Sequence, residues 1–197
     1  MSLYLGPSKF KELYLGSNKI KEAYIGSNKV YSSFPYKTVK IGNQIWMAES
    51  LADEDGGSGV TKWEMGEYYG HAAGTRYVYT LDAAIRISAK YASLGFHIPT
   101  RAEAEQLFNY VGGTSIAGKK LKAKVGWYNN SNGTDDYGFT FYAARGPGYS
   151  GYTQSLSWFW TQTLDGLYQF STGNSVKREG TWDRNWTVQV RLVKSST

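Results

Sequence analysis

The chain has 197 residues, of which 22 are basic and 16 acidic, so its formal net charge is +6, and it contains no cysteine. This length suits one domain with a small appendage, and the lack of cysteine excludes disulfides, thiolate zinc sites and cysteine nucleophiles. No stretch approaches the roughly 18 consecutive apolar residues of a membrane-spanning helix. The first residues lack the charged start and apolar stretch of a secretory signal, so we expect a soluble protein made without an export signal.

Aromatic and basic residues are the unusual parts of the composition. Aromatic residues make up 16% of the chain, with 17 tyrosines against 8 phenylalanines. Tyrosine is favoured where one end of the ring meets water or a ligand, so we expect much of this aromatic content at the surface. The only tight basic cluster is Lys119, Lys120, Lys122 and Lys124, which we interpret as solvated lysines rather than as a nucleic-acid interface.

Residues 1 to 35 contain an imperfect ten-residue repeat, with copies at 3–12, 13–22 and 23–31. Each copy has a short apolar stretch, a glycine-containing turn, a lysine and another apolar residue, which predicts strand, tight turn and strand. Units this small cannot bury their own apolar faces and need another body to pack on. We favour a β-prism at the axis of a homotrimer over a meander on the main domain of a monomer.

The remainder, residues 36 to 197, predicts a second domain that begins with a hairpin. Residues 39 to 47 alternate around a turn at Asn43, and residues 52 to 59 have the composition of a loop. No helical period occurs beyond Ala123, and residues 187 to 193 form the last strand.

Two helices are predicted between these β segments. Thr80 is placed to cap the first, which ends near Gly95. Its inward positions are expected to be Leu81, Ala84, Ile85 and Ala92. In the second, Thr100 and Glu103 form a capping box, Gly112-Gly113 stops the helix, and the buried stripe is Ala104, Leu107, Phe108 and Val111. Two early helices followed by irregular β structure indicate an α+β fold.

Seven motifs occur in order between residues 42 and 194. They are GNQIWMAE at 42–49, YT with DAA at 79–84, GFHIPTRAE at 95–103, GKKLKA at 118–123, SNGTDDYGF at 131–139, FWT at 159–161 and VRLVK at 190–194. Together they resemble the Fibrobacter succinogenes major paralogous domain family, over roughly residues 38 to 194.

The resemblance implies a C-type lectin-like fold. This form is shared with formylglycine-generating enzymes and with the variable proteins of diversity-generating retroelements, such as a phage major tropism determinant. Family members commonly carry one cysteine near the GFHIPT motif and another in the last strand. The matching positions here are Ala92 and Leu192, so we expect apolar packing to replace the covalent link, which fits assembly in a reducing cytoplasm.

Enzymatic chemistry has little support in the sequence. A formylglycine-generating oxidase needs a thiol pair, which this chain lacks, and only His71 and His97 are present for histidine chemistry. We interpret His97, inside a family motif, as a hydrogen-bonded structural residue. We therefore expect a protein that is not an enzyme.

Calcium and other cofactors are also not expected. Sugar-binding lectins hold calcium beside a proline flanked by carboxylate or amide side chains, whereas Pro147 lies between two glycines. The pairs Asp53 with Asp55 and Asp135 with Asp136 are better interpreted as polar turns than as calcium loops. We expect no cofactor and no metal ion.

The candidate binding surface lies between residues 146 and 186. Asp165 is the only charged residue from 146 to 176, and residues 149 to 186 hold nine aromatic residues, four of them tryptophan. Aromatic rings among serine, glycine and asparagine are typical of antibody combining loops. We assign Phe159, Trp160 and Phe170 to the core. The residues that the resemblance places on the ligand face, and that we expect to bind a partner, are Tyr149, Tyr152, Gln154, Tyr168, Trp182, Arg184, Asn185 and Trp186.

The sequence thus predicts a non-enzymatic binding protein. The resemblance implies a receptor-binding or tail-tip protein of a phage or prophage, with a surface diversified by a retroelement. The expected partners are a host cell-surface protein or glycan and further copies of the chain, with a trimer favoured, no nucleic acid and no membrane insertion. The missing signal peptide favours a virion protein, made in the cytoplasm and released by lysis. The alternative is a lectin-like module of a bacterial cell surface that binds glycan.

Overall fold

The computed structural model divides the chain into two compact units, Met1–Pro35 and Tyr36–Thr197. None of the helices in the described ranges is long and apolar enough to cross a membrane. The described residues are 13–15, 17–20, 22–25, 28–32, 34–53, 58–65, 74–144, 155–163, 166–180 and 183–196.

The N-terminal unit contains two antiparallel hairpins, in the second and third copies of the repeat. Their strands are β1 (Leu13–Leu15), β2 (Asn18–Ile20), β3 (Glu22–Ile25) and β4 (Asn28–Ser32). β1 pairs with β2, and β3 pairs with β4 with a register shift between Ala23 and Tyr24. The predicted strand–turn–strand pattern is confirmed for these copies, whereas the first copy lies outside the described residues.

A three-stranded antiparallel sheet joins the beginning and the end of the main unit. β5 (Thr38–Ile41) and β6 (Gln44–Met47) form the predicted hairpin, and β12 (Val193–Ser195) pairs with the other edge of β6. Gly42 has a φ of +59° at the first position of the two-residue turn, a conformation that glycine adopts without strain.

The other strands form a hairpin and a second three-stranded sheet, both antiparallel. They are β7 (Val60–Met65), β8 (Gly74–Tyr79), β9 (Leu156–Phe159), β10 (Tyr168–Ser171) and β11 (Val176–Arg178). β7 pairs with β8, and β10 lies between β9 and β11. Single bridges join Tyr79 to Val188 and Phe159 to Gln189. The segment before β12 therefore lies between β8 and β9.

The two predicted helices are present. α1 (Leu81–Ala89) begins after Thr80, whose hydroxyl accepts a hydrogen bond from the Ala83 N–H at 3.3 Å. α2 (Arg101–Tyr110) has the predicted capping box between Thr100 and Glu103. The predicted buried stripe of α2 is confirmed, since Ala104, Leu107, Phe108 and Val111 are all 0% exposed.

α1 buries a different stripe from the predicted one. It ends at Ala89 and is followed by a 3₁₀ helix at Ala92–Leu94. Leu81 and Ala84 are buried as predicted, but Ile85 is 45% exposed and Ala92 is exposed, so those two predictions are wrong. Ala83 and Ile87 are buried instead. Viewed along the helix axis, the centre of the buried face of α1 is rotated by more than about 100° from the direction of Ile85, so Ile85 faces away from the core.

A third helix, α3 (Thr114–Leu121), corrects the prediction of two helices. Its N-cap, Gly113, provides no side-chain cap, so the local sequence gives little sign of a helix. Main-chain N–H groups of Thr134, Asp136 and Phe141 donate to its last carbonyls at 2.7 to 3.0 Å, which stabilises the helix from outside. A second 3₁₀ helix follows at Tyr128–Asn130. Helices combined with antiparallel sheets give the predicted α+β class.

The core of the main unit is largely aromatic. Phe108 of α2 lies against three rings from β9 and β10, with ring centroids 4.9 to 6.3 Å apart. Each fully buried ring of this size contributes about 2 to 3 kcal/mol through the apolar surface it removes from water. The predicted core residues Phe159, Trp160 and Phe170 are each 0% exposed, which confirms that assignment.

Only one of the two positions where the resemblance implies a covalent link, Ala92 and Leu192, is packed in the core. Leu192 is 0% exposed, as expected, but Ala92 is exposed in the 3₁₀ helix, so the prediction is wrong there. The segment that follows this 3₁₀ helix is joined to β12 by main-chain hydrogen bonds instead. His97 and Val193 exchange two hydrogen bonds of 3.0 and 2.9 Å. The Lys194 ammonium also lies 4.6 Å over the Phe96 ring.

Candidate functional site

The predicted ligand residues divide into three groups. Tyr149, Tyr152, Gln154 and Trp182 lie outside the described residues. Arg184, Asn185 and Trp186 lie in one turn, at residues 183–186, which we call the C-terminal turn. Tyr168 lies elsewhere, in the core.

Tyr168 is a core residue, and its prediction as a ligand residue is wrong. It is 2% exposed, with its ring centroid 4.9 Å from that of Phe108 and 5.8 Å from that of Phe159. Residues two apart on a strand point to the same face of a sheet, so Tyr168 lies on the same buried face of β10 as Phe170. Burial, and then the charge of Glu105, raises the pKa of the Tyr168 phenol.

Asp183 organises the C-terminal turn. Its carbonyl accepts a hydrogen bond from the Trp186 N–H at 3.0 Å, and its carboxylate accepts one from the Asn185 N–H at 2.9 Å. An aspartate that binds the main chain two residues ahead imposes this type of turn. Arg184 and Asn185 are exposed and Trp186 is partly buried. The turn therefore presents a guanidinium, an amide and part of an indole to the solvent.

The C-terminal turn is attached to the start of α1. The Leu81 N–H donates to the Arg184 carbonyl at 3.2 Å, and the Arg184 guanidinium donates to the Asp82 carboxylate. Both side chains of this ion pair are about half exposed, at 52% and 54%. Such a pair contributes little to stability, so its main effect is to orient Arg184.

Two residues of α1 extend this surface, and sequence reasoning missed both. Asp82 contacts Arg184, and Ile85 is three positions further along the helix, so the two are neighbours on its exposed side. Helical spacing predicts a core position for Ile85, because it lies four positions after Leu81. We define the candidate surface as Asp82, Ile85, Arg184, Asn185 and Trp186.

The chain enters the core immediately after the C-terminal turn. Val188 exchanges two main-chain hydrogen bonds with Tyr79, of 2.8 and 3.1 Å, and the Trp160 indole donates to the Tyr79 carbonyl at 2.7 Å. These three residues are at most 1% exposed. The candidate surface therefore rests on a rigid support, which favours precise presentation of its side chains.

A buried polar network fixes the segment that follows. The Gln189 amide donates to Ser157 Oγ and to the Tyr142 carbonyl, and Ser50 Oγ donates to Gln189 Oε1. The Arg191 Nε–H in turn donates to Ser50 Oγ at 3.2 Å. These side-chain contacts join the last segment of the chain to three other segments, at Ser50, Tyr142 and Ser157.

Arg191 and Asp135 hold a strained residue, Thr140. Arg191 is 0% exposed and donates to the carbonyls of Phe139 at 2.6 Å, Thr140 at 2.9 Å and Met47 at 3.0 Å. Thr140 has a φ of +47°, which is rare for a β-branched residue. Its N–H and hydroxyl donate to the Asp135 carboxylate at 2.7 and 2.8 Å. Asp135 thus acts within a polar turn, in agreement with its interpretation from sequence.

His97 is part of the structural support of α2. Its Nε2 lies 2.9 and 3.1 Å from the two carboxylate oxygens of Glu103, and its Nδ1 lies 3.2 Å from the Gly95 carbonyl. Burial raises the pKa of Glu103, but hydrogen bonds from Thr100 and His97 outweigh this effect and hold the pKa below its ordinary value. The geometry agrees with the interpretation of His97 as a hydrogen-bonded structural residue.

Asp53, another of the four acidic residues named as calcium candidates, also has hydrogen-bond partners. The Asp53 carboxylate accepts hydrogen bonds from Lys90 and from the Tyr91 hydroxyl, each at 3.2 Å. Asp55 lies outside the described residues. Among the residues that the structure describes, no three acidic or histidine side chains are grouped in a way that could hold a metal ion.

Comparison with known proteins identifies the family of the main unit. No curated protein and no solved structure matches the chain. A family model, the Fibrobacter succinogenes major domain, matches residues 39–194, from the first strand of the main unit to the last. That span is well over half of the chain, so the protein belongs to the Fibrobacter succinogenes major domain family.

Proposed function

We propose that this chain is a non-enzymatic binding protein with a C-type lectin-like main unit, which recognises a partner on a cell surface through its C-terminal region. The observation that carries the proposal is the C-terminal turn, where Arg184, Asn185 and Trp186 meet solvent directly before a buried segment. Arginine and tryptophan are enriched in binding hot spots, and recognition residues concentrate on loops held by rigid scaffolds.

The more specific role that we propose is receptor binding at the tail tip of a phage or prophage. Its support is the resemblance of the motifs to a family that is similar to the C-type lectin fold in the form shared with retroelement variable proteins, together with the aromatic and polar composition of residues 146–186. The partner would be a host cell-surface protein or glycan. A reverse transcriptase gene next to this one, with a near-copy of the 3′ coding end that differs at adenines, would establish diversification.

Binding is tested with fluorescently labelled full-length protein on a panel of bacterial cells, measured by flow cytometry. Arg184→Ala and Trp186→Ala should each weaken binding by about 30-fold, because a hot-spot side chain contributes roughly 2 kcal/mol. Arg184 is exposed and Trp186 is only partly buried, so both variants should unfold within a few degrees of the wild type.

Arg101→Ala is the matched control for Arg184→Ala. Arg101 is also an exposed arginine in an ion pair, with Glu105 at 2.8 Å, but it lies on α2. This variant should bind like the wild type. Unchanged binding by both candidate-surface variants, or an equal loss in the control, would contradict the proposed binding region.

A glycan array probed with and without calcium distinguishes a glycan partner from a protein partner. Calcium-dependent binding to simple sugars would favour the alternative, a lectin-like module of a bacterial cell surface. Binding to cells that protease treatment removes would favour a protein receptor.

The proposed trimer is tested by light scattering of the full-length protein. We expect three times the chain mass of 22.0 kDa, because the N-terminal repeat needs another body to cover its apolar residues. A monomer mass at micromolar concentration would contradict the trimer and favour the meander.

A further inference from the structure

Lys122 is a buried lysine at the end of α3 whose ammonium group is surrounded by main-chain oxygens. The residue is 1% exposed. Its Nζ lies 2.7 Å from the Ser131 carbonyl, 2.9 Å from those of Ser171 and Gly173, and 3.5 Å from that of Thr172. An ammonium has three N–H donors, and three of these carbonyls are close enough to accept one each. We call these four oxygens the carbonyl cage.

The charge of Lys122 is balanced by dipoles. Among the described acidic side chains, none forms an ion pair with it within 4.0 Å. The Trp127 ring lies 4.7 Å from Nζ and adds a cation–π contact. Burial lowers the pKa of Lys122 to about 8, so the group remains mainly protonated at neutral pH. A buried charge is tolerated only where such contacts replace its water.

The carbonyl cage joins two segments that are distant in sequence. Ser131 belongs to the loop after the second 3₁₀ helix, whereas Ser171 ends β10 and the carbonyls of Thr172 and Gly173 belong to the β10–β11 turn. These segments are closely packed. A Cβ added to Gly118 of α3 would lie 2.7 Å from the carbonyl oxygens of Asn174 and Ser175, and one added to Gly133 would overlap the Lys122 main chain. The cage therefore has little freedom to collapse when its contents change.

We propose that the carbonyl cage is a binding site for a primary ammonium ion, which Lys122 fills as a tethered ligand. The site joins α3, the loop at Ser131 and the β10–β11 turn. When Lys122 is truncated, the cage accepts a free alkylammonium ion of matching size.

The first test replaces the ammonium by an apolar group of similar length. Lys122→Met leaves the cage carbonyls without donors, and it should lower the midpoint of thermal unfolding by roughly 6–12 °C. Lys119→Met is the control, because Lys119 is an exposed lysine on the same helix and should shift the midpoint by less than about 2 °C. A Lys122→Met variant as stable as the wild type would show that packing alone fills the site.

The second test restores the ligand. Lys122→Ala removes a three-carbon stem and its ammonium, which n-propylammonium replaces. Its chloride salt should raise the unfolding midpoint of this variant steadily with concentration, as mass action requires, whereas tetramethylammonium chloride, which has no N–H donor, should not. If the variant is unfolded alone, propylammonium should restore its circular dichroism. An equal response to the two salts, or an equal response in Lys119→Ala, would overturn the proposal.

A third measurement uses the unmodified chain with ¹⁵N-labelled lysine. A buried ammonium that donates three hydrogen bonds exchanges its protons slowly, so one lysine signal should be visible at mildly acidic pH. The signal should disappear in Lys122→Met and persist in Lys119→Met. Its absence from the wild type would count against an occupied cage.

Discussion

At the scale of single residues, the family motifs supply polar anchors, of which Lys122 and Arg191 are buried and His97 is partly exposed. His97 supports the start of α2, Lys122 occupies the carbonyl cage, and Arg191 donates to carbonyls around Thr140. All three lie in motifs that carry the family resemblance. Arg184, Asn185 and Trp186 lie between the motifs at 159–161 and 190–194. The motif residues therefore maintain the fold, whereas the exposed turn lies outside the motifs.

Asp135→Ala should destabilise the main unit by about 2–3 kcal/mol. The variant leaves the Thr140 N–H and hydroxyl without their acceptor, at a residue whose φ of +47° already costs free energy. Urea unfolding measures the loss. Asp136→Ala is the matched control, because the neighbouring Asp136 is exposed, and it should change the stability by less than about 0.5 kcal/mol. Equal effects of the two substitutions would show that Asp135 does not hold Thr140.

Glu103 should make the protein lose stability in acid. Its pKa in the folded chain is below the unfolded value, so its stabilising contribution is present above roughly pH 4.3 and is lost as the pH falls through the folded value. Glu103→Gln should cost about 1 kcal/mol at neutral pH, because a charge-assisted acceptor at the helix start is lost. It should also reduce the difference between unfolding free energies at pH 6 and pH 3.

Glu105→Gln is the control for that measurement. Glu105 lies on the same helix but its side chain is 46% exposed. The control should retain the acid dependence of the wild type. A wild-type-like acid dependence in Glu103→Gln would mean that other carboxylates cause the loss.

At the scale of elements, the predictable helices have strong local signals. The capping box between Thr100 and Glu103 and the apolar stripe that follows define α2 from sequence alone, and the β5–β6 turn is similarly local. α3 was missed because its stabilising partners are elsewhere in the chain. Thr134, Asp136 and Phe141 satisfy its last carbonyls, and no pattern within residues 114–121 reveals them.

Gly118→Ala should destabilise the contact between α3 and the β10–β11 turn. Alanine is the better helix former by about 1 kcal/mol, but its Cβ would lie 2.7 Å from two main-chain oxygens of the β10–β11 turn. Overpacking of this kind should dominate, for a net loss of about 2 kcal/mol in urea unfolding. Gly180→Ala is the control, since among the described residues no atom beyond its chain neighbours lies within 4 Å of an added Cβ there, and it should be nearly neutral. A stabilised Gly118→Ala would mean that the turn is free to move away.

At the scale of the whole molecule, tyrosines that are buried or partly buried should limit stability at high pH. Burial is the main cause that raises the pKa values of Tyr36, Tyr79, Tyr91 and Tyr168. Their contribution is complete below the unfolded value, near pH 10, and is lost as the pH rises above it.

The unfolding free energy should therefore fall above pH 10, by about 1 kcal/mol per pH unit for a tyrosine that is ionised in the unfolded chain and still protonated in the folded one. Tyr79→Phe should reduce the fall, because Tyr79 is 0% exposed. Tyr128→Phe, at a half-exposed tyrosine, should leave it unchanged. Urea titrations at pH 9 and pH 11 measure the slope. An identical slope in the two variants would assign alkaline unfolding to other groups.

The fold class and the family were readable from the sequence because motifs and helix caps are local. The binding surface was only partly readable. Tyr168 was misassigned because Tyr and Phe two residues apart share a sheet face, and Ile85 was misassigned because an apolar residue can satisfy helical spacing and still face solvent. Exposure depends on which neighbours cover a residue, and that information is non-local.

The sheet of β5, β6 and β12 also determines how the main unit responds to tension. β5 and β12 both run antiparallel to β6, so they are parallel to each other and lie on its two sides. A force that pulls the start of β5 away from the end of β12 acts along the strands, perpendicular to their hydrogen bonds. The bonds are then loaded together in shear and cannot open one at a time. Such an arrangement resists mechanical extension better than a hairpin that is peeled from one end.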